Sequence, residues 1–160
     1  MKLDKKDLQI IQLLEENGRT QLTDLAKAVG LSIDSTHKRL KKLIANKTIF
    51  IKALVDPKAI GYELIANVQI KLNNISEDEL NKFIAYLKSH QNVIELISIL
   101  GDYDITCVII AKNTEELDTI SREIRNKFKL VIADWHSVIN LKVHKFEEYD
   151  LDGLFKRIKS

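Results

Sequence analysis

Cations and short polar side chains crowd one side of residues 31–49. They are Ser32, Asp34, Ser35, His37, Lys38, Arg39, Lys41 and Lys42. Lysine and arginine of this density suit phosphate oxygens, which fix register and dominate affinity for a nucleic acid. Asp34, Ser35, His37 and Lys38 carry the donors and acceptors that read base edges in a major groove. Two other readings stay open: a solvated lysine-rich face, and for Arg39 a bridge to carboxylates of its own domain. A second group, Gly101-Asp102-Tyr103-Asp104, has the composition of a tight hairpin turn, which needs no ligand.

Bond-making chemistry finds little support. His37, His90, His136 and His144 are scattered without metal-ligand spacing, apart from a shared strand face for His136 and His144. No phosphate loop, nucleophile elbow or dinucleotide fingerprint occurs. Cys107 is the only cysteine, which excludes an internal disulfide and a Cys-based metal cluster. No enzyme, cofactor or metal is expected.

Those residues need a scaffold, and the chain of 160 residues suits one domain or two small ones. Hydrophobic content of 45% with 30% charged residues describes an ordinary globular protein. The apolar runs are too short to span a bilayer and no signal peptide is recognised, so a cytoplasmic location is expected. Net charge is only +2, yet residues 1–60 hold 12 Lys and Arg against 7 Asp and Glu, and residues 61–160 hold 13 against 16. The basic first part suits a polyanion and the acidic second part another task.

Three helices precede and include the basic stretch. Asp4 caps the first, which runs over 4–16 with Leu8, Ile11 and Leu14 inward and Gly18 as its left-handed stop. The second covers 21–29 with Leu22, Leu25, Ala26 and Val29 inward, and Gly30 closes it. Ser32 then caps the third, whose buried stripe is Ile33, Thr36, Leu40, Leu43 and Ile44. A glycine-containing turn between two short helices is the helix-turn-helix signature. Residues 49–55 are β-rich and read as a strand leading out of this unit, until Asp56-Pro57 breaks it.

The second half follows another rhythm. Residues 64–72 alternate strictly, and Ser76 with Glu79 forms a capping box ahead of Leu80, Phe83, Ile84 and Leu87. Strands over 93–100 and 104–111 flank the glycine turn, and Thr114 opens a helix with Leu117, Ile120, Ile124 and Phe128 inward. A last strand spans 131–146. The order β-α-β-β-α-β is the ferredoxin-like arrangement. Ile105, Cys107 and Ile109 face one way and Val108 and Ile110 the other, so a second copy should cover the open face of the sheet.

With these residues in hand, the chain resembles the Lrp/AsnC (leucine-responsive, feast/famine) regulators. Leu3-Asp4, Asp7 and Ile11 through Leu14 match the family's opening helix, and Gly18-Arg19 its turn. Leu25-Ala26, Gly30-Leu31-Ser32, Arg39-Leu40 and Leu43 match its helix-turn-helix, and Gly101-Asp102-Tyr103-Asp104 its G-x-Y-D turn. The resemblance implies an α+β chain, with an N-terminal helix-turn-helix (winged-helix-like) domain over 1–48 and a linker strand and hinge over 49–62. A ferredoxin-like dimerisation and effector domain follows over 63–147, then an extension over 148–160. It implies a transcription regulator that binds double-stranded DNA at a pseudo-palindromic operator, as a homodimer or an octamer. It also implies an amino-acid effector near Gly101, Asp102, Tyr103 and Asp104, where freed amides hold a carboxylate and Asp102 or Asp104 pairs with the ammonium group.

This chain departs from the family twice. Lys47-Thr48 stands at a corner where the family has glycine, leaving Asn46 as a candidate for the left-handed residue. The extension also runs past the usual end, with Leu151, Leu154, Phe155 and Ile158 apolar and Lys156, Arg157 and Lys159 basic, the pattern of a short docking helix. Two other functions keep the same architecture: an enzyme like the sirohaem decarboxylases, and an architectural DNA-binding protein of low specificity.

Overall fold

The computed structural model describes residues 3–158. In chain order the elements are α1 (Lys5–Glu16), α2 (Leu22–Val29), α3 (Ile33–Ala45), β1 (Leu64–Leu72), α4 (Glu77–Ser89), β2 (Val93–Ser98), β3 (Ile105–Ala111), α5 (Thr114–Lys127), β4 (Ile132–Ile139) and α6 (Leu151–Ile158), with one 3-10 turn at Lys58–Ile60. They fall into two units, Met1–Leu54 with His144–Ser160, and Val55–Val143.

The first unit is a helix-turn-helix core. Asp4 caps α1 through a reciprocal box in which its own carboxylate accepts from the amide of Asp7, and the Asp7 carboxylate accepts from the amide of Asp4. Gly18 does not end this helix. Asn17 does so in an extended conformation, its side chain accepting from Arg19 N at 3.0 Å and its carbonyl from Thr20 N at 3.0 Å. An Asx turn replaces the left-handed glycine. Gly30, at φ 66°, does end α2 as expected, and Leu31 N reaches back to Ala26 O at 3.0 Å. Ile10, Val29 and Leu43 are the buried centre, with Leu3, Ile11, Leu14, Leu31 and Leu40 packed around them.

On α3 the inward stripe is narrower than the apolar spacing predicts. Thr36 and Leu43 are buried, but Ile33 is 52% and Ile44 44% exposed. Thr36 tolerates burial because its hydroxyl donates to Ser32 O at 3.0 Å.

The exit from α3 is built on Lys47 at φ 55°, not on Asn46, whose φ of −83° is right-handed. Lys47 N donates to Ile44 O and Thr48 N to Leu43 O, each at 2.9 Å, a Schellman ending made without glycine. A side chain in this region costs about 1 kcal/mol. Lys47→Gly is therefore expected to stabilise the unit by about that amount, read as a higher midpoint in urea unfolding; an unchanged or lower midpoint refutes the strain.

Residues 49–55 form no strand. Strand propensity without a neighbouring ladder makes no strand here, so among the described residues no wing follows α3. The chain returns to this unit at its end. Asp150 accepts from Gly153 N at 3.0 Å to start α6, which packs beside α1, and Tyr149 N donates to Glu15 Oε1 at 2.7 Å. Glu15 lies in the last turn of α1, where the helix dipole disfavours an acid and a donor is welcome. The side chains of Phe155, Arg157 and Ile158, and all of Lys159, lie outside the described residues.

The second unit is a four-stranded antiparallel sheet of order β2-β3-β1-β4. Ala66, Val68 and Ile70 of β1 pair with Ile109, Cys107 and Ile105 of β3 and pack with Phe83, Leu87, Ile120 and Ile124 of the two helices α4 and α5. Ser76 and Glu79 form the expected capping box of α4, and Asn113 caps α5. Asn92, buried before β2, donates to Ile110 O and accepts from Ile110 N, both at 2.9 Å, which seats the edge strand. The last strand is shorter than its apolar pattern: β4 stops at Ile139, after a register shift opposite Lys71 and Leu72. His144 accordingly does not share a strand face with His136.

Candidate nucleic-acid interface and effector turn

Ser32 sets the start of α3. Its hydroxyl accepts from Ser35 N at 3.2 Å and donates to Ser35 Oγ at 2.9 Å. One turn on, Lys38 Nζ lies 2.7 Å from Asp34 Oδ2, with both side chains more than 70% exposed. Such an exposed pair is worth only about 0.3–0.5 kcal/mol, so it holds neither side chain firmly. His37, Lys41 and Lys42 are exposed. Of the eight candidate residues, Ser32, Asp34, His37, Lys38, Lys41 and Lys42 are exposed and Ser35 is half-buried.

Arg39 is the eighth and departs from the set. Its Nη1 lies 2.7 Å from Asp4 Oδ2 and 2.7 Å from Asp7 Oδ1, and its side chain is one-third exposed. The two carboxylates raise the guanidinium pKa, Asp4 first and Asp7 second. Asp4 in turn is held below the usual carboxylate range by the amide of Asp7 and then by Arg39. Lys6 Nζ donates to Val29 O, tying α1 to the end of α2.

In the second unit the turn after β2 is occupied by internal bonds. Asp104 Oδ2 accepts from Leu72 N at 2.8 Å and lies 3.6 Å from Lys71 Nζ. Tyr103 OH donates to Asp134 Oδ2 at 3.1 Å, and that carboxylate raises the phenol pKa. Asp102 and Gly101 are exposed. Beside the turn lies a cleft of about 420 Å³, with Lys71, Asn73, Asn74, Ser98 and Asp104 polar and Leu72, Leu80 and Ile105 apolar on its walls. Sequence spacing did not single out Asn73, Asn74 or Ser98, which meet only through the sheet.

Other reactive groups are quiet. Burial pushes the Cys107 thiol up to about 12, far from a thiolate at neutral pH. His90 Nδ1 accepts from Asn92 N at 3.2 Å and its ring meets Tyr86 edge-on, a packing role. Among the described residues no helix is long and apolar enough to cross a membrane.

Comparison with known proteins agrees with this division. Residues 3–44 match the AsnC-type helix-turn-helix domain and residues 65–148 the Lrp/AsnC ligand binding domain. The HTH-type transcriptional regulator FL11 of Pyrococcus abyssi is 32% identical, with 89% of this chain and 92% of that protein covered. The HTH-type transcriptional regulator Ptr1 of Methanocaldococcus jannaschii is 32% identical over 72% of this chain and 76% of its own length. Among solved structures, a transcriptional regulator from Neisseria meningitidis in complex with L-Met superposes with a TM-score of 0.84 at 24% identity, covering 96% of this chain and 99% of that one. The chain belongs to the Lrp/AsnC family of transcriptional regulators, with a DNA-binding and a ligand-binding domain.

Proposed function

We propose that the protein is a sequence-specific regulator that binds a pseudo-palindromic DNA site as a homodimer, in the cytoplasm, and answers to an amino acid. The observation that carries the reading is the two-sidedness of α3. Thr36 and Leu43 are buried, while His37, Lys38, Lys41 and Lys42 are exposed on the other side. In this reading Lys41, Lys42, Lys47 and Lys52 contact phosphates, and Asp34, Ser35, His37 and Lys38 read bases in the major groove. Ser32 holds the first turn of the reader in place.

Dimer formation is supported by the sheet face that α4 and α5 leave uncovered. Ile97 and Val138 on it are 45% and 50% exposed, beside the half-buried Ile65 and Val108. A second copy of this face would bury them, and a two-fold pair of readers suits half-sites about one DNA turn, ~34 Å, or a multiple of it apart. Four such dimers would make the octamer that the family resemblance implies.

The effector reading places a zwitterion at the turn. Asp104 is committed to Leu72 N, so exposed Asp102 is the carboxylate for the ammonium group, with Gly101 and Tyr103 supplying amides for the carboxylate. The L-Met complex of the Neisseria relative and the name of the glutamate uptake regulatory protein of Zymomonas mobilis, 28% identical over 81% of this chain, support an amino acid as the class. No catalytic step is assigned.

Selection of bound duplexes from a random pool, repeated with each amino acid, tests the whole reading. A palindromic consensus whose occupancy changes with one ligand is expected. Equal binding to all sequences would point to an architectural protein instead. A bound tetrapyrrole with no selected site would point to the decarboxylase-like enzyme.

A further inference from the structure

We propose that Arg39 is a positioning residue of the DNA reader: Asp4, the cap of α1, and Asp7 in its first turn grip it and thereby set how α3 stands on the domain. The proposal rests on reading α3 as that reader.

The oxygens of the two carboxylates divide cleanly between two tasks. Asp4 Oδ1 accepts from Lys6 N at 2.8 Å and Asp7 N at 2.9 Å, and Asp7 Oδ2 accepts from Asp4 N at 3.1 Å. The remaining oxygens, Asp4 Oδ2 and Asp7 Oδ1, both meet Arg39 Nη1. The box that starts α1 therefore presents a ready-made receptor for one guanidinium. Residues 32 and 35 positions apart are joined by it.

Burial separates Arg39 from its neighbours on α3. It stands three residues after Thr36 and four before Leu43, at the edge of the inward stripe, whereas Lys38, Lys41 and Lys42 are exposed. The Asp7 side chain is only 12% exposed. Sending Arg39 to a phosphate would leave that largely buried carboxylate without its cation, close to a polyanion, which is costly. An arginine suits the task because its long planar head reaches two acceptors and keeps its charge.

Charge alone predicts the opposite outcome from geometry, and that makes the test sharp. Affinity of the full chain for its selected duplex is measured with salt titration, at a temperature where circular dichroism shows each variant folded. Asp4→Asn/Asp7→Asn removes two negative charges near DNA. The clamp predicts weaker binding all the same, by about ten-fold, while a phosphate-contacting Arg39 released from its carboxylates predicts tighter binding. Arg39→Gln should lose about as much with the salt slope unchanged, because no phosphate contact disappears. Arg39→Lys should not rescue binding, since its shorter chain keeps the charge but falls short of both acceptors.

Tighter binding by the double Asn variant, a slope flattened by about one in Arg39→Gln, or near-wild-type affinity in Arg39→Lys would each overturn the proposal. If the double variant unfolds, Asp4→Asn alone leaves the Asp7 contact and gives the graded form: a smaller loss is expected, and a gain overturns it. A wild-type chain that binds no duplex would instead bring down the regulator reading on which the clamp depends.

Discussion

Leu43→Ala is expected to abolish DNA binding while leaving the four-stranded sheet folded. Leu43 is 1% exposed and packs with Ile10 and Val29 at the centre of a core made by three short helices. Removing its isobutyl group costs roughly 2–5 kcal/mol, as transfer free energy plus a cavity that rigid neighbours do not refill. So small a unit buries little apolar area and sits at the low end of domain stability, which is about 5–15 kcal/mol. The loss is thus comparable with the whole. Two-step urea unfolding by circular dichroism should show the first transition gone and the second unmoved, with duplex affinity reduced to the non-specific level. A single cooperative transition shifted as one would show that the two units do not unfold independently.

Val108→Lys is expected to produce a folded monomer. Val108 sits on the uncovered face of β3, with Asn67 of β1 on one side and Glu95 of β2 on the other. A lysine there can pair with Glu95 in the isolated chain, so the fold is spared. In the proposed dimer its ammonium would have to leave water against an apolar partner face, at a cost of several kcal/mol. Each 1.4 kcal/mol is ten-fold, so the dimer constant should weaken by 100-fold or more. Duplex affinity should fall by a similar factor, because two readers no longer bind as one tethered pair. Sedimentation gives the mass directly, and an unchanged dimer would place the interface elsewhere.

Features decided within a few residues were legible in the sequence. Asp4, Ser32 and Ser76 cap helices as expected, since a cap concerns one turn of backbone. Strict alternation over β1 correctly divided helix-facing from outward residues. What failed depends on groups far apart. Residues 49–55 have strand composition but no ladder, and β4 ends seven residues before its apolar pattern does. Lys47 takes the left-handed corner although Asn46 tolerates it better, because the Schellman amides fix the position rather than the residue type. Ile33 and Ile44 have helical spacing, yet three helices meet along too narrow a line to cover them.

The candidate site divides in the same way. A basic, capped helix after Gly30 marked the proposed DNA face locally. That Arg39 belongs to α1 rather than to that face required Asp4 and Asp7, more than thirty residues away. Likewise the proposed preference for Asp102 over Asp104 rests on Leu72 N, which no turn signature contains.

Trp135 gives the chain an internal optical probe. It is the only tryptophan in the sequence, it lies on β4 opposite Ile70, and its indole N–H is buried without a hydrogen-bond partner among the described residues. An indole in so apolar a setting emits to the blue of one in water, and red-shifts when the sheet opens. Its neighbour Asp134 accepts from Tyr103 OH, at the turn where the effector is proposed. The DNA-binding helices carry no indole at all. Light emitted at Trp135 therefore reports on the ligand-binding domain alone, and an untouched chain can be titrated with amino acids while its other half is read separately by a labelled duplex.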